Sequence, residues 1–192
     1  MLFRLSRTLS ARSRRVAFIA TLIATFFSAS VVPASAATPL TGETLTGTGP
    51  TTSGYGYDSC TNRILVQGGD GFNLSGTASG PYPGAFSETG GFSVYGHRNP
   101  PYQVRFNANF TITSGTTKIT GSISTGLRGA GVFGLTIGCT PTGTPSSYGT
   151  TPFLVNYTAV INGQTYQGTG KVSGTFATQI GAKTSVGASL TG

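Results

Sequence analysis

Few side chains in this sequence could carry out acid–base or nucleophilic chemistry. There is one histidine, His97, and there are four acids, Glu43, Asp58, Asp70 and Glu88. General acid–base catalysis requires titratable groups that are held together, and these five groups share no motif. A Ser/His/Asp triad around His97 is allowed by residue count alone, and no G-x-S-x-G motif is present. We therefore predict no catalytic residues, and a small extracellular hydrolase is the enzymatic alternative.

No metal or cofactor site is predicted either. Metal sites draw several ligands from His, Cys, Asp and Glu, and here these residues are scattered, with no C-x-x-C pair. The stretch Gly68-Gly69-Asp70-Gly71 is similar in composition to calcium-binding glycine-rich repeats, but such sites need stacked copies and this stretch occurs once. We interpret it as a turn that leads into a strand beginning at Phe72.

The first 36 residues have the layout of a secretion signal. Residues 1–15 include five arginines and no acid, and an apolar run extends from Val16 to Val32. Ala34 and Ala36 then match the small residues that a signal peptidase requires. We predict cleavage after Ala36, by the Sec route in preference to the twin-arginine route. The product is then secreted and extracellular, with no membrane association after signal removal. A membrane anchor is the alternative.

Export makes a disulfide the expected state of Cys60 and Cys139. Exported chains with an even number of cysteines commonly pair them, and the alternative is two separately buried thiols. The bond would close a long loop, which in the chain-entropy description stabilises the fold by about 4 to 5 kcal/mol.

Downstream of residue 36 the charges are few and dispersed. Seven cations and four acids remain, which gives 7 − 4 = +3, and the cations form no cluster that could follow a phosphate backbone. We predict no nucleic-acid partner. The whole sequence contains twelve phenylalanines and eight tyrosines, and the regular alternation of its apolar residues indicates a folded chain.

Alternation of apolar and polar residues indicates β-strands along most of this segment. Phe72–Tyr95 contains two alternating runs around a GPYPG turn, which is typical of a β-hairpin. Val104–Ile112 alternates strictly and predicts a strand with one apolar face. Asn162-Gly163 predicts a two-residue hairpin turn, because both positions of that turn need positive φ, and its register places Tyr157 opposite Gly168.

These patterns predict an all-β protein. We expect an antiparallel β-sandwich of about nine or ten strands, with a closed β-barrel as the alternative. Residues 37–57 are predicted to be a flexible segment or an edge strand, because their Thr/Gly-rich sequence is weakly patterned. Residues 58–192 are predicted to form a single domain.

Residues 75–88, SGTASGPYPGAFSE, carry a resemblance to a known type of module. They are similar to a module of secreted, mostly uncharacterised bacterial proteins, in which a GPYPG turn precedes an aromatic residue and a Ser/Thr-Glu pair. The resemblance implies a β-sandwich surface module and transfers no active site. We interpret Glu88, beside this turn, as a solvated strand residue.

The segment from residue 95 to residue 102 is the predicted binding loop. Tyr95 and Tyr102 flank His97, Arg98, Asn99 and two prolines, and aromatic rings beside a rigid, cationic loop are typical of surfaces that recognise sugars or peptides. An ordinary connecting loop is the alternative. We predict a secreted, non-enzymatic binding, adhesion or structural module for an extracellular ligand, either a glycan or a protein. A β-barrel that holds a small apolar ligand is a further alternative.

Overall fold

A computed structural model describes residues 39–56, 60, 65–97 and 100–192, so the predicted signal peptide lies outside the described residues. The described residues form strands, turns and bends, and they include no helix that is long and apolar enough to cross a membrane. Ten strands follow one another along the chain: β1 Thr44–Gly56, β2 Leu65–Ser79, β3 Gly84–His97, β4 Tyr102–Ser114, β5 Thr117–Ser124, β6 Ala130–Val132, β7 Leu135–Cys139, β8 Pro145–Ile161, β9 Gln164–Ala177 and β10 Lys183–Thr191.

The strands belong to one antiparallel sheet, which confirms the all-β prediction and its strand number. Their order is β3-β2-β1-β10-β9-β8-β5-β4, and β3 also pairs with β4. Hydrogen bonding therefore returns to its starting strand and closes a ring of eight strands. The two short strands lie beside this path, β6 against β4 and β7 against β8.

Aromatic side chains fill the interior of this ring. The rings of Phe92 on β3 and Phe176 on β9 stack with centroids 3.8 Å apart, although these strands are not neighbours in the sheet. Phe106 lies 5.8 Å from Phe72 and 6.1 Å from Phe153, between centroids. Opposite walls are thus in contact, as in a sandwich, while the hydrogen bonding is continuous, as in a barrel.

Two local predictions are confirmed residue by residue. In β4, Phe106, Ala108 and Phe110 are buried, and the polar residues that alternate with them are exposed. Asn162 and Gly163 both have positive φ, 51° and 79°, and pair β8 with β9 in the predicted register. A Cβ atom placed on Gly168 would lie 2.6 Å from the ring of its cross-strand neighbour Tyr157. The tyrosine ring therefore covers bare backbone, which a side chain at residue 168 would displace.

The prediction that residues 37–57 form a flexible or edge segment does not describe β1. This strand pairs with β2 on one side and β10 on the other. Its inward positions include Gly47 and Gly49, so the sequence shows no apolar alternation there. Close packing explains the glycines, because a Cβ atom on Gly49 would lie 2.0 Å from the carbonyl oxygen of Asn73.

The prediction of a turn at residues 68–71 is wrong. These residues lie inside β2, which runs without interruption from Leu65 to Ser79. A Cβ atom on Gly68 would overlap the Tyr148 ring, whose hydroxyl donates to the Gln67 carbonyl at 3.3 Å. Tyr148 is fully buried, so glycine is present here to admit a large ring.

The predicted disulfide between Cys60 and Cys139 is confirmed. Their sulfur atoms are bonded and their Cα atoms lie 6.1 Å apart. The Cys60 amide also donates to the carbonyl of Gly143, in the turn that joins β7 to β8. The bond therefore ties the segment before β2 to the end of β7.

Candidate functional site

The wall of the ring is interrupted where β5 ends. At Ser124, β5 still pairs with Asn107 of β4 and Asn156 of β8. Beyond that point β4 pairs with β6 and β8 pairs with β7, and none of the described pairings joins β6 to β8. The interruption follows from length, because β5 has 8 residues and its neighbours β4 and β8 have 13 and 17. The chain from residue 125 to residue 131 occupies this notch.

Three clefts lie along the notch and on the outer face beside it. The first, the β8 cleft, has a volume of about 590 Å³ and is lined by Thr125, Gly129, Ala130, Gly131, Leu154, Val155, Asn156 and Thr169. The second, the loop cleft, has a volume of about 420 Å³ and is lined by Arg105, Phe106, Asn107, Ser124, Thr125, Gly126 and Leu127. The third, the β3–β4 cleft, has a volume of about 350 Å³ and is lined by Gly91, Phe92, Ser93, Arg105 and Asn107.

Neighbouring clefts share lining residues. Thr125 lines the β8 cleft and the loop cleft, and Arg105 and Asn107 line the loop cleft and the β3–β4 cleft. We name the three together the groove, because they follow one another across the strands from β3 to β9. Such a shape suits an extended ligand more than a compact one.

Arg105 lies near the middle of the groove. Its guanidinium carbon is 5.5 Å from the centroid of the Tyr95 ring on β3, which is within the range of a cation–π contact. The ring itself is 37% exposed. Ser93 lies opposite Arg105 in the strand pairing, and Gln103 lies opposite Tyr95. An exposed ring, a guanidinium, a hydroxyl and an amide are thus placed side by side on rigid strands.

The 125–131 segment is held beside β4 by hydrogen bonds to Phe106, the residue after Arg105. Thr125 and Phe106 exchange two hydrogen bonds, from the Thr125 amide to the Phe106 carbonyl at 3.0 Å and from the Phe106 amide to the Thr125 hydroxyl at 3.2 Å. A Cβ atom on Gly129, which has a φ of +71°, would lie 3.3 Å from Cγ of Arg105. Arg128, the preceding residue, is exposed, so a second cation lies beside the groove.

Only part of the predicted binding loop falls within the described residues. Arg98 and Asn99 lie outside them, and the side chain of His97 is not described. Tyr95 stands on the outer face against Arg105, whereas Tyr102 is partly buried and packs against the core. The prediction of a binding role for these five residues stays untested. Of the two tyrosines, Tyr95 is the one that the structure places beside the groove.

Glu88 is buried, and its interpretation as a solvated strand residue is wrong. It is 3% exposed and lies on the same side of β3 as Phe86 and Phe92. Its cross-strand neighbours are Leu74 and Phe110, and its Oε1 atom has no hydrogen-bond partner among the described residues. Burial raises the pKa of the Glu88 carboxyl to about 8.

Asp70 is also buried, but it belongs to a hydrogen-bond network. The Thr184 hydroxyl donates to Asp70 Oδ2 at 3.2 Å and accepts a bond from the Ala177 amide at 2.9 Å. The Thr51 hydroxyl lies 3.0 Å from that of Thr184. Burial raises the pKa of Asp70 to about 7, and the Thr184 hydroxyl opposes the rise.

Glu43 is the third buried acid of the described chain. It precedes β1, and its Oε2 atom accepts a hydrogen bond from the Tyr82 amide at 2.8 Å, inside the GPYPG turn. Burial raises the pKa of Glu43, and the Tyr82 amide opposes that rise. The glutamate therefore anchors the β2–β3 turn to the start of β1.

These acids do not form a joint catalytic or metal site. Asp70 lies opposite Phe92 in the strand pairing, and Glu88 is four residues from Phe92 along β3. Asp70 and Glu88 are therefore separated by about 13 Å along the strand direction. Within the described part of the chain, no three His, Cys, Asp or Glu residues are close enough to hold a metal ion. The groove itself is lined by a guanidinium, amides, hydroxyls and glycine backbone, together with apolar side chains that include the exposed Leu127 and Leu154.

Sequence reasoning overlooked the residues that line the groove. The alternation of β4 does place Arg105 and Asn107 on its polar face, so their exposure is readable from the sequence. Their proximity to Thr125, Asn156 and Thr169 is not, because it depends on where β5 stops.

Comparisons of the chain with protein-family models, with curated proteins and with solved structures find no match.

Proposed function

We propose that the protein is a secreted, non-enzymatic extracellular binding module, and that its ligand lies in the groove. The observation that carries the proposal is the placement of Arg105 and Asn107, which line two adjoining clefts while Arg105 contacts the exposed Tyr95 ring. Polar and aromatic side chains fixed on rigid strands favour recognition, because little side-chain freedom is lost when the ligand binds. An adhesion role and a role in binding soluble ligands both fit this surface.

The buried position of the acids supports binding more than hydrolysis. Asp70 on β2 and Glu88 on β3 both point into the core and are not opposite each other. Neither lines the β3–β4 cleft. A hydrolase needs a general base in contact with substrate, and the groove residues Arg105, Asn107 and Ser93 do not supply one.

The aromatic core argues against the alternative of a small apolar ligand inside the ring. Such a ligand would lie where Phe72, Phe92, Phe106 and Phe176 now contact one another across the interior. Its binding would require these rings to separate, which would open a cavity in a packed core.

Secretion is supported by the signal-like first 36 residues and by the Cys60–Cys139 bond, which persists in oxidising compartments. We expect mass spectrometry of culture supernatant to find a chain that begins at Ala37. Recovery of the uncleaved chain in membranes alone would contradict export.

Binding is tested by screening protein expressed from the full-length sequence against immobilised glycans and extracellular proteins. Asn107→Tyr places a bulky ring between the loop cleft and the β3–β4 cleft, and Asn109→Tyr places the same ring on the same face of β4 outside both clefts. We expect Asn107→Tyr to weaken binding to any ligand found by about tenfold or more, equivalent to about 1.4 kcal/mol. Equal binding by both variants would exclude the groove.

A further inference from the structure

The described residues separate their charges by sign. All three acidic side chains, Glu43, Asp70 and Glu88, are buried. All five cationic side chains are exposed, and these are Arg105, Lys118, Arg128, Lys171 and Lys183. Among the described side chains, therefore, nothing on the surface offers a negative charge. The exposed charges of these side chains are thus all positive, although the sequence also contains Asp58, outside the described residues.

Two of these cations lie at the groove. Arg105 lines two of its clefts, and the guanidinium has no carboxylate partner among the described residues. A Cβ atom on Gly129 would lie 3.3 Å from Cγ of Arg105, and Arg128 comes directly before that glycine. An exposed guanidinium without a carboxylate partner among the described residues is suited to a bidentate contact with a planar anionic group such as a carboxylate.

The polar part of the rest of the lining, which lies beside the apolar Leu127 and Leu154, suits sugars. The groove offers hydroxyls from Ser93, Ser124 and Thr125, amides from Asn107 and Asn156, and exposed glycine backbone, while the Tyr95 ring stands beside it. Hydroxyls and amides exchange hydrogen bonds with sugar hydroxyls, and a partly exposed ring can stack on a sugar face.

We infer that the groove binds an acidic polysaccharide, a chain of sugars that carries carboxylate or sulfate groups, and that Arg105 and Arg128 contact those groups. The inference rests on the proposed function and names the ligand class of the same site. A nucleic acid is the less favoured polyanion, because Arg105 is the one cation among the described residues that line the groove, so these residues form no row of cations along its length.

The test uses protein expressed from the full-length sequence and four polymers of similar length. The probes are polygalacturonate for carboxylate, dextran sulfate for sulfate, uncharged dextran, and duplex DNA. Arg105→Gln and Arg128→Gln remove groove charges. Lys118→Gln is the matched control, because it removes one exposed charge near the opposite end of β4, where Lys118 lies opposite Thr113. Circular dichroism checks that each variant keeps its fold.

We expect tight binding to at least one acidic polysaccharide and little binding to dextran. Arg105→Gln should weaken that binding by about tenfold or more, Arg128→Gln by a smaller factor, and Lys118→Gln by less than about twofold. High salt should weaken binding as well, because the contacts are between exposed charges. Whichever of the two acidic probes binds tighter identifies the anionic group.

Four results would overturn the inference, and they show whether the proposed function fails with it. If uncharged dextran bound as tightly as the acidic polysaccharides and Asn107→Tyr abolished that binding, the groove would remain the binding site and the acidic ligand would be rejected. Equal losses from Arg105→Gln and Lys118→Gln, or DNA binding as tight as that of the acidic polysaccharides, would show a general attraction of polyanions. Acidic polysaccharide binding that Asn107→Tyr leaves unchanged would reject both the groove and the inference.

Discussion

Strands β3 and β4 present different kinds of side chain on their inner and outer faces. The inner face contains Phe92, Phe106 and a carboxyl, Glu88, that burial keeps protonated at neutral pH. The outer face contains Tyr95 and Arg105, a ring and a cation in contact with each other. Because alternate residues point to opposite faces, two adjacent positions can serve stability and recognition independently.

This difference changes how the charge of the chain is interpreted. Counting residues after position 36 gives seven cations against four acids, a modest excess. Burial then removes three of the acids from the surface, and the raised pKa values of Asp70 and Glu88 reduce their charge near neutral pH. The described part of the surface is therefore more cationic than the composition suggests.

The largest expected effect is on the inner face. Phe106→Ala should lower the free energy of unfolding by about 3 to 5 kcal/mol, because the ring contacts Phe72, Phe153 and Phe176 and would leave a cavity. Asn107→Ala, on the outer face, should change it by less than about 0.5 kcal/mol. Urea unfolding measures both. Similar losses at the two positions would mean that the faces are not distinct.

The buried acids predict that stability declines as pH rises. Unfolded Asp and Glu ionise near pH 4, whereas folded Asp70 and Glu88 keep their protons to about 7 and about 8. Between those values the folded state binds more protons, so the free energy of unfolding falls with increasing pH and levels off above about 8. We expect a total decline of a few kcal/mol, measured by urea unfolding at a series of pH values.

Glu88→Gln separates the two acids in that experiment. The substitution keeps the shape of the side chain and removes its titration, so the decline between pH 7 and 8 should disappear while the Asp70 part remains. Asp70→Asn should remove the Asp70 part of the decline and leave the Glu88 part, which extends to about pH 8. A pH profile that neither substitution alters would show that neither carboxyl is protonated in the folded state.

The hydrogen-bond network around Asp70 gives a smaller effect. Thr184→Val removes the hydroxyl that donates to Asp70 and accepts from the Ala177 amide, and it leaves both groups buried without this partner. We expect a loss of about 1 to 3 kcal/mol in the free energy of unfolding. Thr175→Val, at an exposed position of β9, is the control and should have little effect. A neutral Thr184→Val would indicate that water replaces the hydroxyl.

The smallest expected effect on stability belongs to Arg105. Because its guanidinium is exposed and contacts a ring that is itself partly exposed, Arg105→Gln should change the thermal midpoint by no more than about 2 °C. The same variant is expected to lose ligand binding. A large drop in the midpoint would mean that Arg105 serves the fold, and the contrast between the two faces would fail at this position.

Hairpins were predictable from the sequence because their information is local. Asn162-Gly163 determines a turn, a register and the pairing of Tyr157 with Gly168 within a few residues. Glu88 was also predictable in principle, since it has the same parity as Phe86 and Phe92, but its charge led to the opposite interpretation. The position of Glu88 in the alternating pattern was therefore a better guide to its burial than the charge of its side chain.

Strands β1 and β2 were harder to predict because their inward positions contain glycine. Gly49 and Gly68 are explained by atoms from distant segments, the Asn73 carbonyl and the Tyr148 ring. The groove was harder still, because it joins residues near positions 91, 105, 125, 155 and 169, which only the complete sheet brings together.

Closure of the ring limits the number of strand edges to which another chain could add. A strand with an unpaired edge is a template on which other chains can polymerise, and a protein with so few surface charges has little repulsion to prevent it. Among the described strands, only β6 and β7 have one side unpaired along their whole length, and they contain 3 and 5 residues. Because the open edges are so short, the topology disfavours amyloid-like growth without requiring many surface charges.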